Sequence, residues 1–342
     1  MVFPYFSNPT VPLSCRLMSN ASGIQEESLI PWKRSISSGI AGSDSRGRNL
    51  DFMVIGAPKS GTTSLHKYLA AHPALYLLPE KEVPYFTNPD YLALGWDWYV
   101  DKFFSEAPTD RLWGKTTPQY MSLIETPARI WGQMPKVKLI ALVRNPVDCA
   151  YSWYKMMLRR KQEQRPFEQM LDGLMQSGRP GDGNDRPSLF IGEHGRMLEQ
   201  YFKTFPARQL LVLFSEDLKR DPGAVLKRLL AFLEVDETFT PPNLGRCYHA
   251  GGTRQRIPVN EETLAQHPCF RLALKLLPHR SRKAIERRFL FWFMIWNIRP
   301  DSSDQQMPGK SRERLVQFYR DDVRLLKQLL NQPVPWPEFA DA

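Results

Sequence analysis

The sequence predicts an α/β fold of three layers, a central and mainly parallel sheet flanked by helices. Three observations predict it. Apolar runs of strand length occur at Phe52–Ile55, Val137–Val143 and Gln209–Phe214. Apart from Lys138 and Gln209 near their starts, the runs are apolar without alternation, the mark of a strand buried on both faces. Each is followed by a helical pattern, and strands alternating with helices build a parallel sheet through crossover units.

Size and composition agree with such a fold. The chain has 342 residues, beyond the roughly 250 at which one core usually stops growing, so one large or two intimate domains are expected. Hydrophobic residues make up 42% and aromatic residues 12%, which excludes wholesale disorder. Twenty-nine prolines exceed the usual ~5% and predict broken elements and long connections. Cys15, Cys149, Cys247 and Cys269 have neither metal-ligand nor disulfide spacing, which suggests a reduced compartment. No stretch approaches the ~18 apolar residues of a membrane span, and the N-terminus lacks a secretory pattern, so a cytoplasmic location is expected. Lys and Arg total 46 against 36 Asp and Glu; the balance of +10 points to anionic partners.

Along the chain, residues 1–49 are rich in Ser, Asn, Gly and Pro and predict a flexible arm, with one domain over 50–342. The first strand is bounded by Gly56, and a helix is expected over Thr62–Ala71, stopped by His72-Pro73. Helices near 146–161 and 222–234 follow the second and third strands. Residues 177–188 have loop composition, 261–299 form a basic, mainly helical stretch, and a closing helix lies near 311–330. Within the basic stretch, His279–Trp296 combines six basic residues with an aromatic run. That mixture suits peripheral membrane contact, or helix packing with the basic residues in solvent.

The strongest chemical signal is Gly56-Ala-Pro-Lys-Ser-Gly-Thr-Thr-Ser64, between the first strand and its helix. Its small residues leave backbone N–H groups free to converge on an anion, and the helix N-terminus adds positive potential. The loop is P-loop-like but does not fit a nucleotide triphosphatase. That pattern requires Lys after the second glycine, whereas Thr62 follows Gly61 and the loop's lysine is Lys59. The second strand ends in Arg144, where such enzymes place a carboxylate for Mg²⁺. Arginine there would repel a metal and attract a second phosphate. These residues ask for a nucleotide phosphorylated at two places and bound without metal.

Two motifs resemble the sulfotransferases that use 3′-phosphoadenosine 5′-phosphosulfate (PAPS). Pro58–Leu65 (PKSGTTSL) resembles the family's loop for the 5′-phosphosulfate. Leu142–Tyr154 (LVRNPVDCAYSWY) resembles its 3′-phosphate segment, with Arg144 and Ser152 in the matching places. The resemblance covers about residues 51–256. Lys81-Glu82-Val83-Pro84-Tyr85-Phe86 and Gly114-Lys115-Thr116-Thr117-Pro118 are similar to the carbohydrate type, typified by heparan sulfate enzymes. The histidine base of the phenol and steroid type is absent at Thr117.

The resemblance implies PAPS as donor and PAP (adenosine 3′,5′-bisphosphate) as product, with no metal and no nucleic-acid partner. It implies Glu82 as general base and Lys59 and Lys115 as the positive charge at the bridging oxygen. Ser60, Gly61, Thr62, Thr63 and Ser64 would surround the 5′-phosphate, Arg144 and Ser152 the 3′-phosphate, with Gly252, Thr253 and Arg254 in a further nucleotide loop. Tyr85, Phe86 and Trp96 line either an acceptor pocket or the core. The acceptor is expected to be a small molecule or glycan-like, a saxitoxin-type alkaloid being one candidate. A P-loop kinase and a non-catalytic anion binder are the competing readings. Oligomeric state is not legible.

Overall fold

The computed structural model describes residues 48–176, 190–248 and 306–342, together with residue 293 and the backbone of 253–255 and 298–300. These residues belong to the unit Ser45–Ala342. The expected arm up to residue 47, the loop at 177–188 and most of the basic stretch lie outside the described residues, while Arg48 and Asn49, the arm's last two residues, are bonded to Thr109, Arg111 and Gln133 of the fold.

Strand β1 (Phe52–Gly56) leads into helix α1 (Thr62–Leu69) and the short strand β2 (Leu75–Leu77). Helices α2 (Pro89–Leu94) and α3 (Trp96–Phe104) precede β3 (Leu112–Thr116) and α4 (Thr126–Gln133). Then come β4 (Lys138–Val143), α5 (Pro146–Arg159), α6 (Phe167–Gln176), α7 (His194–Thr204) and β5 (Leu210–Phe214). Helices α8 (Ser215–Arg220) and α9 (Pro222–Leu233) follow, then β6 (Thr253–Gln255), β7 (Ile298–Pro300) and α10 (Gly309–Leu330).

The main sheet has five strands in the order β2-β3-β1-β4-β5, and every pairing in it is parallel. β1, β4 and β5 are buried almost throughout because helices cover both faces, which is why their sequences are continuously apolar. One face packs Met53, Ile55, Leu139 and Ala141 against α3, α5, α7 and α10. The other packs Phe52, Val54, Ile140 and Leu142 against α1 and α9. Gly114 is required where β3 passes β1, because a side chain there would collide with the Phe52 ring. β6 and β7 form a separate antiparallel pair, with Arg254 opposite Arg299. Among the described residues no helix is long and apolar enough to cross a membrane.

The order fixes where chemistry can occur. β1 is central, with β3 on one side and β4 on the other, so the chain leaves the sheet to different sides from neighbouring strands. In open α/β sheets the crevice at such strand ends receives ligands.

Candidate active site

Side chains capable of caps close the starts of three helices. Asn88 caps α2, Asn145 caps α5 and Asp221 caps α9. α1 differs: its N-cap is Gly61 in the left-handed region (φ 98), with no side-chain cap and no acidic residue in the first turn. Its leading N–H groups therefore keep their affinity for an anion. Lys59 is also left-handed (φ 66), a conformation costly for a residue with a Cβ and found disproportionately at functional loops.

The loop is fixed from beneath. Ala57 N donates to Leu142 O (2.7 Å), and the buried Cys149 thiol donates to Pro58 O (3.2 Å). Burial pushes that thiol up to about 12, so Cys149 is a neutral pin rather than a nucleophile. Tyr248 N donates to Ser64 Oγ at 3.0 Å, tying the segment before 249 to the loop.

Arg144 follows β4, and its guanidinium donates to the Lys59 carbonyl (3.3 Å), so the two expected phosphate-binding regions are joined. The backbone of Arg144 is held from behind by His194 Nε2 at 2.9 Å from its carbonyl oxygen. Burial together with the charges of Arg159, Arg160 and Arg144 lowers Lys59 to about 8, opposed by Cys149. Arg144 Nε and Ser60 Oγ are buried without a hydrogen-bond partner among the described residues. Buried donors among crowded cations fit a phosphorylated nucleotide, whose oxygens would satisfy both. Among the described residues no cluster of His, Cys, Asp and Glu could hold a metal.

Glu82 lies across the crevice, its N–H donating to Thr116 O (3.1 Å) at the end of β3. Its two carboxylate oxygens accept from Lys81 Nζ (2.8 Å) and Gln119 Nε2 (3.1 Å). Burial alone would raise this carboxyl, but Lys81, Gln119 and the charge of Arg160 outweigh it and lower it below the usual range. Glu82 is thus held ionised and aimed. Lys81 also donates to Thr63 Oγ1 (2.9 Å) and Thr62 Oγ1 (3.4 Å). Sequence reasoning gave Lys81 no role beyond pairing with Glu82; the signal that could have found it was a second cation beside the expected base.

Not every expected residue joins this cluster. Ser152 is half-buried two turns into α5, on the strand–helix unit that carries Arg144. Lys115 is 1% exposed and donates to the Tyr99 hydroxyl, on the opposite face of β3 from Thr116, whose hydroxyl meets His66. Burial lowers Lys115 well below the usual lysine range, opposed only by Glu80. Strand alternation sets Lys115 and Thr116 on opposite faces of β3, since successive side chains leave opposite faces. Tyr85, Phe86 and Trp96 pack on one another and on Tyr99 with ring centroids 5.0–5.9 Å apart, each 7% exposed or less. Core packing, one of the two alternatives for these rings, is what the structure displays. Thr253 and Arg254 lie on β6, and Gly252 lies outside the described residues.

A parallel sheet with an uncapped helix behind a lysine-bearing loop, an arginine directly after the adjoining strand and an ionised glutamate opposite fits a nucleotide-using transferase class. The family profile described as Sulfotransferase domain matches residues 49–246, and the chain belongs to the PAPS-dependent sulfotransferase family. Human Bifunctional heparan sulfate N-deacetylase/N-sulfotransferase 2 is 29% identical over 54% of this chain and 22% of its own length. Human Heparan sulfate glucosamine 3-O-sulfotransferase 3B1 is 30% identical over 69% of this chain and 60% of its own length. The chain therefore spans only part of these curated relatives. A crystallised sulfotransferase from Alicyclobacillus acidocaldarius shares the fold, with a TM-score of 0.59 at 22% identity over 84% of this chain and 98% of that one.

Proposed function

We propose that this chain transfers the sulfuryl group of PAPS to a hydroxyl, or to an amine or carbamoyl nitrogen, of a small-molecule or glycan-like acceptor, without a metal. The observation that carries the reading is one connected network. The carboxylate that can take the acceptor's proton is bonded to Lys81, which is bonded to the threonines opening α1. Donor cradle and base are thus built as one object.

In this reading Glu82 removes the acceptor proton, the acceptor atom forms a bond to sulfur, and the bond from sulfur to the 5′-phosphate oxygen breaks. Negative charge gathers on the departing oxygen, as in phosphoryl transfer. Lys59, the α1 N–H groups and the Thr62 and Thr63 hydroxyls stand where that charge would gather. Arg144 and Ser152 orient the donor through its 3′-phosphate. Lys115, near the end of β3 and bonded to the Tyr99 hydroxyl, is the second candidate for the charge at the bridging oxygen.

Calorimetric titration with PAP, and separately with ATP and Mg²⁺, each with and without EDTA, tests the donor. Tight PAP binding that ignores EDTA supports the reading, and binding of ATP with Mg²⁺ alone returns the loop to the kinases.

A further inference from the structure

We propose that Lys81 is a further catalytic residue, whose ammonium contacts the sulfuryl group as it passes from donor to acceptor. The proposal rests on the donor reading above and assigns a group within that same site.

Geometry carries it. Lys81 Nζ is 2.9 Å from Thr63 Oγ1 and 3.4 Å from Thr62 Oγ1, at the N-terminus that receives the phosphosulfate. It is 2.8 Å from Glu82 Oε1, the carboxylate that receives the acceptor's proton. A group moving from the first place toward an acceptor at the second passes within hydrogen-bond reach of this ammonium. No other lysine joins the two sides in the described residues: Lys59 belongs to the loop and Lys115 is turned to Tyr99.

The backbone is shaped to make this contact. Consecutive residues of an extended chain point to opposite faces, which would separate Lys81 from Glu82. Glu82 instead adopts φ 70, and both side chains reach the crevice. An ordinary surface ion pair needs no such conformation and no bonds to hydroxyls 18 and 19 residues away. The lysine side chain is only 18% exposed, so its charge is screened less than that of a solvated lysine.

The step balances without a further reactant. Glu82 takes the acceptor proton, the acceptor–sulfur bond forms, and the sulfur–phosphate oxygen bond breaks with its electron pair leaving on PAP. Lys81 exchanges its threonine hydrogen bonds for sulfuryl oxygens and keeps its proton throughout.

PAP lacks the sulfuryl group and PAPS carries it, so comparing their binding isolates the contact without any acceptor. Calorimetric dissociation constants for both ligands are measured with wild type, Lys81→Met and Lys81→Arg. Lys81→Met is expected to leave PAP affinity within about twofold while weakening PAPS about tenfold or more, the worth of a charge-assisted hydrogen bond. Lys81→Arg should recover part of the PAPS affinity. An unchanged preference, or equal weakening of both ligands, overturns the proposal and makes Lys81 a structural or 5′-phosphate residue. Failure of wild-type protein to bind PAP overturns the donor reading itself, an outcome that no Lys81 variant can produce.

Discussion

Lys59 shows how crowding of like charges becomes a measurable property. Burial and three neighbouring guanidinium groups lower its ammonium to about 8. A bound bisphosphate favours the charged form, so above that pH binding takes up a proton. PAP affinity is therefore expected to fall by up to about tenfold per pH unit above pH 8, and Lys59→Arg should flatten the fall. Calorimetry across pH 6.5–9.5 gives the answer, and a flat wild-type profile contradicts the placement of Lys59 beside the donor. Glu82 behaves in the opposite sense, because Lys81 and Gln119 hold it ionised. Glu82→Gln should lower turnover by about 10²–10⁴ while leaving PAP affinity unchanged. Survival of activity in that variant would remove Glu82 as the base. Lys59, Arg144 and Glu82 were candidates from the sequence because each sits in a short motif whose neighbours announce a strand end or a tight loop, and the structure gathers their surroundings at the ends of β1, β3 and β4. The role of Lys81 was not, because its hydroxyl partners are contributed by α1.

At the scale of elements, α7 and α10 illustrate packing that also serves the site. Asp322 on α10 accepts from the Gly195 and Arg196 amides (2.9 Å each), capping α7 from outside its own chain segment. Gly195 permits the approach, since a Cβ there would meet the backbone of Asp322. His194, the first residue of α7, then reaches the Arg144 carbonyl, so the position of α7 bears on the arginine proposed for the 3′-phosphate. Burial raises Asp322 from 3.8 to about 7 against the pull of its two backbone donors. The folded state thus holds a proton that the unfolded chain has released. The contribution of Asp322 to stability is therefore expected to be greatest below the unfolded value near 3.8 and to be lost as pH rises through about 7. The loss is on the order of 4 kcal/mol. Denaturant unfolding of wild type and Asp322→Asn from pH 4 to 8 measures it, and parallel stability profiles would refute it. Among the elements, β1, β4 and β5 were legible because continuous apolar runs specify strands buried on both faces. β2, three residues long, gives no periodic signal, and β3 is interrupted by Gly114 and Lys115. Pairing with neighbours decides both.

For the whole molecule, the proposed donor site joins the ends of β1, β3 and β4 with α1 and α5, so a nucleotide bound there would brace segments far apart in sequence. Ligand that binds only the folded state stabilises it by mass action, about 2.7 kcal/mol at a hundredfold excess over Kd. PAP is expected to raise the melting temperature of wild type, and Arg144→Ala should lose most of that rise at the same ligand concentration. A rise that Arg144→Ala keeps in full would misplace the 3′-phosphate. The sequence by itself determined the fold class, the family and the lysine-bearing loop from which a two-phosphate nucleotide is proposed, because contiguous residues encode each strand–loop–helix unit and its charge. Only the tertiary structure decided which way the remaining side chains face. Strand alternation turned Lys115 to Tyr99, aromatic packing drew Tyr85, Phe86 and Trp96 inward, and the left-handed Glu82 brought Lys81 onto Thr63. Those outcomes depend on partners distant in the chain, and folding is the step that brings such partners within hydrogen-bond range.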